Sequence, residues 1–163
     1  MATAIQSAVT VSGPPAGSPG LEYDSGFNDV VTKRAIAGIP FGSYVVFTAE
    51  GDCKLPASLA EITANDGGVA LFDSTAKSGV GYLANDPVRV LVGGRVWVQT
   101  EGTVAQSDPA FVRGVAGAGG SILGLFRADA DTSSAVAAPG CNYFIGVTGA
   151  GLAVVTVNHP KGT

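Results

Sequence analysis

The sequence predicts an all-β protein, a single β-barrel or β-sandwich domain with an extended N-terminal arm and Gly/Ala-rich loops. Three observations carry that reading. Short apolar runs recur at roughly 8–12-residue spacing between turn signals. No stretch has the apolar period of an amphipathic helix of useful length. Residues 87–100, Pro-Val-Arg-Val-Leu-Val-Gly-Gly-Arg-Val-Trp-Val-Gln-Thr, are two β-branched runs about a Gly-Gly pair, the pattern of a hairpin.

The chain divides at about residue 36. Residues 1–36 read as the arm, because Ser12-Gly-Pro-Pro-Ala-Gly-Ser-Pro-Gly20 excludes both a helix and a central strand. Tyr23 and Phe27 follow among turn residues and are costly to leave in water, so the arm is expected to be ordered by contact with something else. Residues 37–163 form the β domain. Residues 44–48 are a strand, ended by Glu50-Gly-Asp52. Residues 60–64 are ambiguous: Ser58 and Glu61 have capping-box spacing, but Pro56 and the shortness of the run favour a strand or one helical turn. Asn65-Asp-Gly-Gly68 is a turn, residues 69–73 resume the sheet, and residues 80–85 lead through Asp86-Pro87 into the hairpin. Residues 111–115 and 123–127 flank a glycine-rich loop, and residues 143–148 and 152–158 are the last strands.

The hairpin register can be tested against its side chains. A two-residue loop at Gly93-Gly94 mixes apolar and charged residues on both faces. A three-residue connection ending at Arg95 instead gathers Val88, Val90, Val92, Val96 and Val98 on one face. Arg89, Leu91, Trp97 and Gln99 then share the other.

At 163 residues the chain suits one domain with a proper core. Charged residues are 13%, against roughly 25% in ordinary soluble domains, so partner subunits are the simplest cover for a weakly polar surface. Mean hydropathy is +0.34, yet no apolar run approaches the roughly 18 residues of a membrane span. A net charge of −4 and a pI near 4.7 argue against a nucleic-acid partner. The N-terminus lacks the basic and apolar regions of a signal peptide, so synthesis in a cytoplasm is expected. Cys53 and Cys141 are far apart and are expected to be reduced thiols.

The residues give little for chemistry to use, and no catalytic, metal or cofactor site is expected. His159 is the sole histidine and lies near the end of the chain. Ser74-Thr-Ala-Lys77 has Ser-x-x-Lys spacing but sits in a polar turn rather than at a helix start. Asp129-Ala-Asp131-Thr-Ser-Ser134 resembles the start of a calcium loop without its sixth-position Gly or distal Glu, and reads as a solvated turn. The glycine-rich segments lack the Gly-Lys-Ser/Thr of a phosphate loop. Trp97 could anchor a sugar, but reads better as a core or interface residue.

Three segments together resemble the structural cement, or capsid decoration, proteins of tailed bacteriophages. They are Asp24-Ser-Gly-Phe-Asn-Asp-Val-Val-Thr32 with Ile39-Pro-Phe-Gly42; Gly68-Val-Ala-Leu-Phe-Asp73 through Gly94-Arg-Val-Trp-Val98; and Asp108-Pro-Ala-Phe-Val-Arg113 with Ser121-Ile-Leu-Gly-Leu-Phe-Arg-Ala128 and Asp131-Thr-Ser-Ser-Ala135. The resemblance implies a non-enzymatic protein, made in the host cytoplasm, that sits on the outside of an icosahedral head. There it would staple neighbouring major capsid subunits as a homo-oligomer, with trimers favoured and dimers the other option. On this reading Tyr23, Phe27, Val30 and Val31 make neighbour contacts from the arm. Phe41, Trp97, Phe111 and Phe126 serve core or intersubunit packing. The competing expectation is a β-sandwich module binding host-surface carbohydrate through Trp97.

Overall fold

The computed structural model describes residues 17–24, 26–48, 51–117 and 122–158. Its strands are β1 (Asp29–Ala35), β2 (Ile39–Pro40), β3 (Tyr44–Phe47), β4 (Asp52–Lys54), β5 (Gly67–Ala70), β6 (Gly81–Tyr82), β7 (Pro87–Thr100), β8 (Pro109–Arg113), β9 (Phe126–Arg127), β10 (Ala135–Ile145) and β11 (Gly151–Asn158). One short helix, α1 (Leu59–Ala64), lies between β4 and β5. The sheet runs β1-β4-β3-β5-β7-β11-β10-β8-β9, and further β1–β7 and β7–β9 contacts close it into two rings that share β7. β2 and β6 make a separate pair.

The middle of the molecule is a wall with a core on each side. In β3, Tyr44 and Val46 enter one buried cluster and Val45 the other. After β5 begins, Val69 and Leu71 join Tyr44, while Ala70 joins Val45. The first half of β7 repeats the division, with Leu91 on the Tyr44 side and Val88, Val90 and Val92 opposite. A strand buried on both faces reads as a continuous apolar run, as in Tyr44-Val-Val-Phe47 and Val69-Ala-Leu71; in β7 this begins only after the exposed Arg89. The larger core adds Val96, Val98, Phe126, Tyr143 and Val155; the smaller adds Ala35, Ile39, Phe41 and Tyr82. Each fully buried Val or Leu contributes about 1.5–3 kcal/mol relative to exposure.

The expected hairpin is absent. Residues 87–100 are one unbroken strand, paired along its first half with β1 and β5 and along its second half with β11. Its glycines serve a bend rather than a reversal. Asp29 stands opposite Gly93 and Val30 opposite Leu91, so Val92 is an extra, bulged residue, and Gly94 takes φ of 133°. The five valines expected on one face are therefore divided: Val88, Val90 and Val92 fill one core, Val96 and Val98 the other.

Other local readings also change. Asn65 caps the end of α1, its N–H donating to Glu61 O at 3.1 Å. Gly67 and Gly68 are not turn residues but open β5, where a Cβ would collide with Val45 O or Leu91 O of the neighbouring strands. Ser58 does cap α1: its hydroxyl accepts from Glu61 N at 3.3 Å, and the Glu61 carboxylate accepts from Ala57 N at 2.8 Å. Residues 29–35, placed in the arm by sequence, are a strand of the main sheet. β4 and the first half of β10 had no clear sequence signal. Among the described residues no helix is long and apolar enough to cross a membrane.

Candidate interaction surface

Residues 20–35 follow β7 in the opposite direction, with one excursion on the way. Gly20 N donates to Trp97 O (2.8 Å), Trp97 N to Leu21 O (2.9 Å), and Tyr23 N to Arg95 O (2.9 Å). From Asp29 the chain rejoins β7 as β1. Between these two stretches Phe27 stands fully in solvent.

Polar contacts brace the base of this loop. Asn28 Nδ2 donates to Glu22 Oε2 (2.7 Å) and to Asp24 O (3.2 Å). Arg95 Nη1 donates to Asp24 Oδ2 (2.9 Å), and Arg89 Nη2 to Glu22 Oε1 (3.3 Å). Gly94 is required here twice over, because its φ disfavours other residues and a Cβ would collide with Asn28 Oδ1. Beside the loop, Tyr23 meets Trp97 and Phe144 edge-on, at 5.7 and 5.6 Å between ring centroids. The Arg95 guanidinium lies 3.8 Å from the Phe144 ring centroid, a cation–π contact. A phenyl ring left in water on a braced loop is preorganised for a partner, since little ordering cost remains to be met on binding.

The residues singled out by sequence fall into three environments. Tyr23 and Phe27 lie on this surface, with half-buried Trp97 under Tyr23. Val30 and Val31 are half-buried in β1, where they pack against opposite cores. Phe41 and Phe126 are buried: Phe41 packs on Phe72 and Tyr82, and Phe126 on Tyr44. Phe111 is half-buried on β8. Sequence reasoning missed Asn28, Gly94, Arg95 and Phe144. Only Gly94 carried a local signal, and it was read as a turn.

The acidic turn at 129–134 is an ion-pair network. Arg113, 3% exposed, donates from Nε and Nη2 to both Glu101 oxygens at 2.7 Å and from Nη2 to Asp131 Oδ2 at 2.6 Å. Arg127 pairs with Glu101 (2.9 Å), Asp129 (2.8 Å) and Asp131 (2.7 Å). The hydrogen bond from Arg113, together with the Arg127 charge, holds the Asp131 carboxyl below the usual aspartate range despite the opposing cost of desolvation. Two arginines thus fill the ligand positions that the calcium-loop pattern offered.

The remaining candidates have equally plain settings. Ser74 and Lys77 are exposed, in a loop where Asp73 Oδ1 accepts from Thr75 N (2.8 Å) and Thr75 Oγ1 (2.7 Å). Cys53 and Cys141 are free and sit in different cores, and burial pushes their thiols up to about 11 and about 12. They are poor nucleophiles at neutral pH. His159 lies outside the described residues. Tyr23 is inclined at 63° to Trp97 and 61° to Phe144, so these rings do not form the flat platform expected of a sugar-binding face.

Comparison with known proteins bears on the fold and the family. A search of curated proteins finds no match. Among solved structures, a chain in the capsid of Myoviridae phage XM1 has the same fold, with a TM-score of 0.70 and 19% identity. The alignment covers 96% of this chain and 98% of that one. The model of a family described as structural cement protein (E217 gp24/Pam3 gp6) matches residues 5–158, and this chain therefore belongs to the phage structural cement proteins.

Proposed function

We propose that this protein decorates the outer surface of an icosahedral phage head and staples neighbouring major capsid subunits without catalysing a reaction. Family membership supports the cement role. The single structural observation that carries the contact reading is the fully exposed Phe27 on a loop held by Asn28, Asp24 and Arg95. The N-terminal segment and the surface around Tyr23 and Phe27 make the neighbour contacts. The β-rings provide a stiff body between them.

The protein acts as a symmetric homo-oligomer, for which the family resemblance favours a trimer and leaves a dimer open. Several weak contacts made at once by a symmetric unit give strong overall attachment. The protein is made in the host cytoplasm and added to the finished shell.

Electron microscopy of expanded empty capsids from its own phage, mixed with purified protein, tests this reading. Wild type is expected to decorate the outside. Phe27→Ala is expected to bind roughly tenfold or more weakly, from the lost burial of one aromatic ring. Its melting temperature should be unchanged, because the side chain touches solvent in the free protein. Undecorated shells with wild type would remove the outer-surface reading. Equal binding by Phe27→Ala would remove the loop from the contact.

A further inference from the structure

The turn between β9 and β10 winds in the left-handed sense. Asp131, Thr132 and Ser133 have φ of 43°, 51° and 72°, three consecutive residues other than glycine in the left-handed region. Residues with a Cβ normally enter that region singly, and each is disfavoured there by roughly five- to thirtyfold. Thr132 is β-branched, the least tolerant kind. The Thr132 and Ser133 side chains are exposed, so no burial offsets the strain.

Charge at the first of these residues holds the turn. Asp131 Oδ2 accepts from Arg113 Nη2 at 2.6 Å and pairs with Arg127 Nη1 at 2.7 Å. Asp131 N donates to Asp129 Oδ1 at 3.0 Å. The turn then closes on itself, with Ser134 N and Ala135 N donating to Ala130 O at 2.9 and 3.0 Å. Its end also clasps a second segment. Ser134 O accepts from Gly114 N at 3.1 Å and from Val115 N at 3.2 Å, which fixes the chain as it leaves β8.

We propose that residues 130–135 are a strained latch, held shut by the Asp131 charge, that opens locally when the charge is lost and releases Gly114 and Val115. Strain of this kind persists only while its surroundings enforce it. The groups facing Asp131 are Arg113 on β8, Arg127 on β9, Asp129 in the turn and, through both arginines, Glu101 just after β7. Only the carboxylates among them gain a proton in acid. Because the Asp131 carboxyl is held below its ordinary 3.8, the latch stays shut above about pH 5 and opens as pH falls through that lower value. The device lies within this chain and stands whether or not the capsid reading holds.

Hydrogen exchange of the full chain, read amide by amide, tests it. Asp131→Asn removes the charge but keeps the tolerance for left-handed φ, since asparagine enters that region readily. At neutral pH it should speed exchange at Gly114, Val115, Ser134 and Ala135 about tenfold, the difference between a charged and a neutral acceptor. The Val96 and Val155 amides, in the paired strands β7 and β11, should not change. Thr132→Gly should slow the four amides about fivefold, because glycine relieves the strain. The double variant should return close to wild-type protection. In wild type, lowering the pH below 3.8 should speed the four amides relative to their intrinsic rates, and Asp131→Asn should lack that response. Four amides unmoved by Asp131→Asn, faster exchange in Thr132→Gly, or equal acceleration at Val96 and Val155 would each overturn the proposal.

Discussion

The two rings close at short seams, and each seam carries a bidentate arginine–carboxylate pair. At the first, Arg34 on β1 binds Asp52 on β4 at 2.9 and 2.8 Å, beside two paired residues. At the second, Arg113 on β8 binds Glu101 just beyond β7, and Arg127 on β9 joins it, where β7 meets β9 at a single residue pair. Bond lengths are nearly the same; solvent is not. The Arg34 side chain is 60% exposed and that of Arg113 is 3% exposed. Water screens the first pair and leaves it little net weight. At the second, Arg113 has exchanged its hydration for two carboxylates, Glu101 and Asp131, so losing it strands both. Geometry alone does not rank such contacts. Burial does.

The sharpest test of this contrast is Arg113→Ala. It should destabilise the protein by about 3–5 kcal/mol in chemical denaturation, because Glu101 is left poorly compensated near the core. A loss below 1 kcal/mol would remove the distinction between the seams.

Acid should also find the seams. Asp131 is held below its ordinary value of 3.8 chiefly by the Arg113 hydrogen bond, and Asp52 below the same value chiefly by that of Arg34. A lowered carboxyl contributes stability in full above its unfolded value and loses it as pH falls through the folded one. Thermal melts should therefore stay level down to about pH 5 and fall progressively below about pH 4. Arg113→Ala should flatten that fall more than Arg34→Ala. Equal flattening would count against the contrast.

The smallest effect is expected for Arg34→Ala itself. A loss of about 0–1 kcal/mol, shrinking as salt is added, is the behaviour of an exposed pair. A salt-independent loss of several kcal/mol would show that the first seam is as dry as the second.

The legible parts of this fold were those whose information is local. The runs at 44–48 and 152–158 announce strands through their own β-branched and aromatic residues, and both are strands. The Gly93-Gly94 pair was misread because a tight reversal and a bulged bend both favour glycine. Only the flanking β1 and β11 decide between them, and they come from distant parts of the sequence. β1 was hidden by the proline-rich segment before it and by an edge exposed enough to look like an arm. The charge network gave no signal at all, since Glu101, Arg113, Arg127 and Asp131 meet only after three strands have paired. Tyr23 and Phe27 stood out in the sequence because aromatics among turn residues are conspicuous in any fold, and the structure leaves both exposed.

The alignment of residues 20–35 along β7 has a mechanical consequence. Hydrogen bonds between antiparallel strands run across the strand direction. A pull on the N-terminal segment directed along β7 therefore loads those bonds side by side, in shear, rather than opening them one at a time. β7 is shared by both rings, so that load passes into β11 and β5 through a continuous covalent beam. For a structural cement protein, a load in that direction is carried by the strand that the sequence disguised as a hairpin.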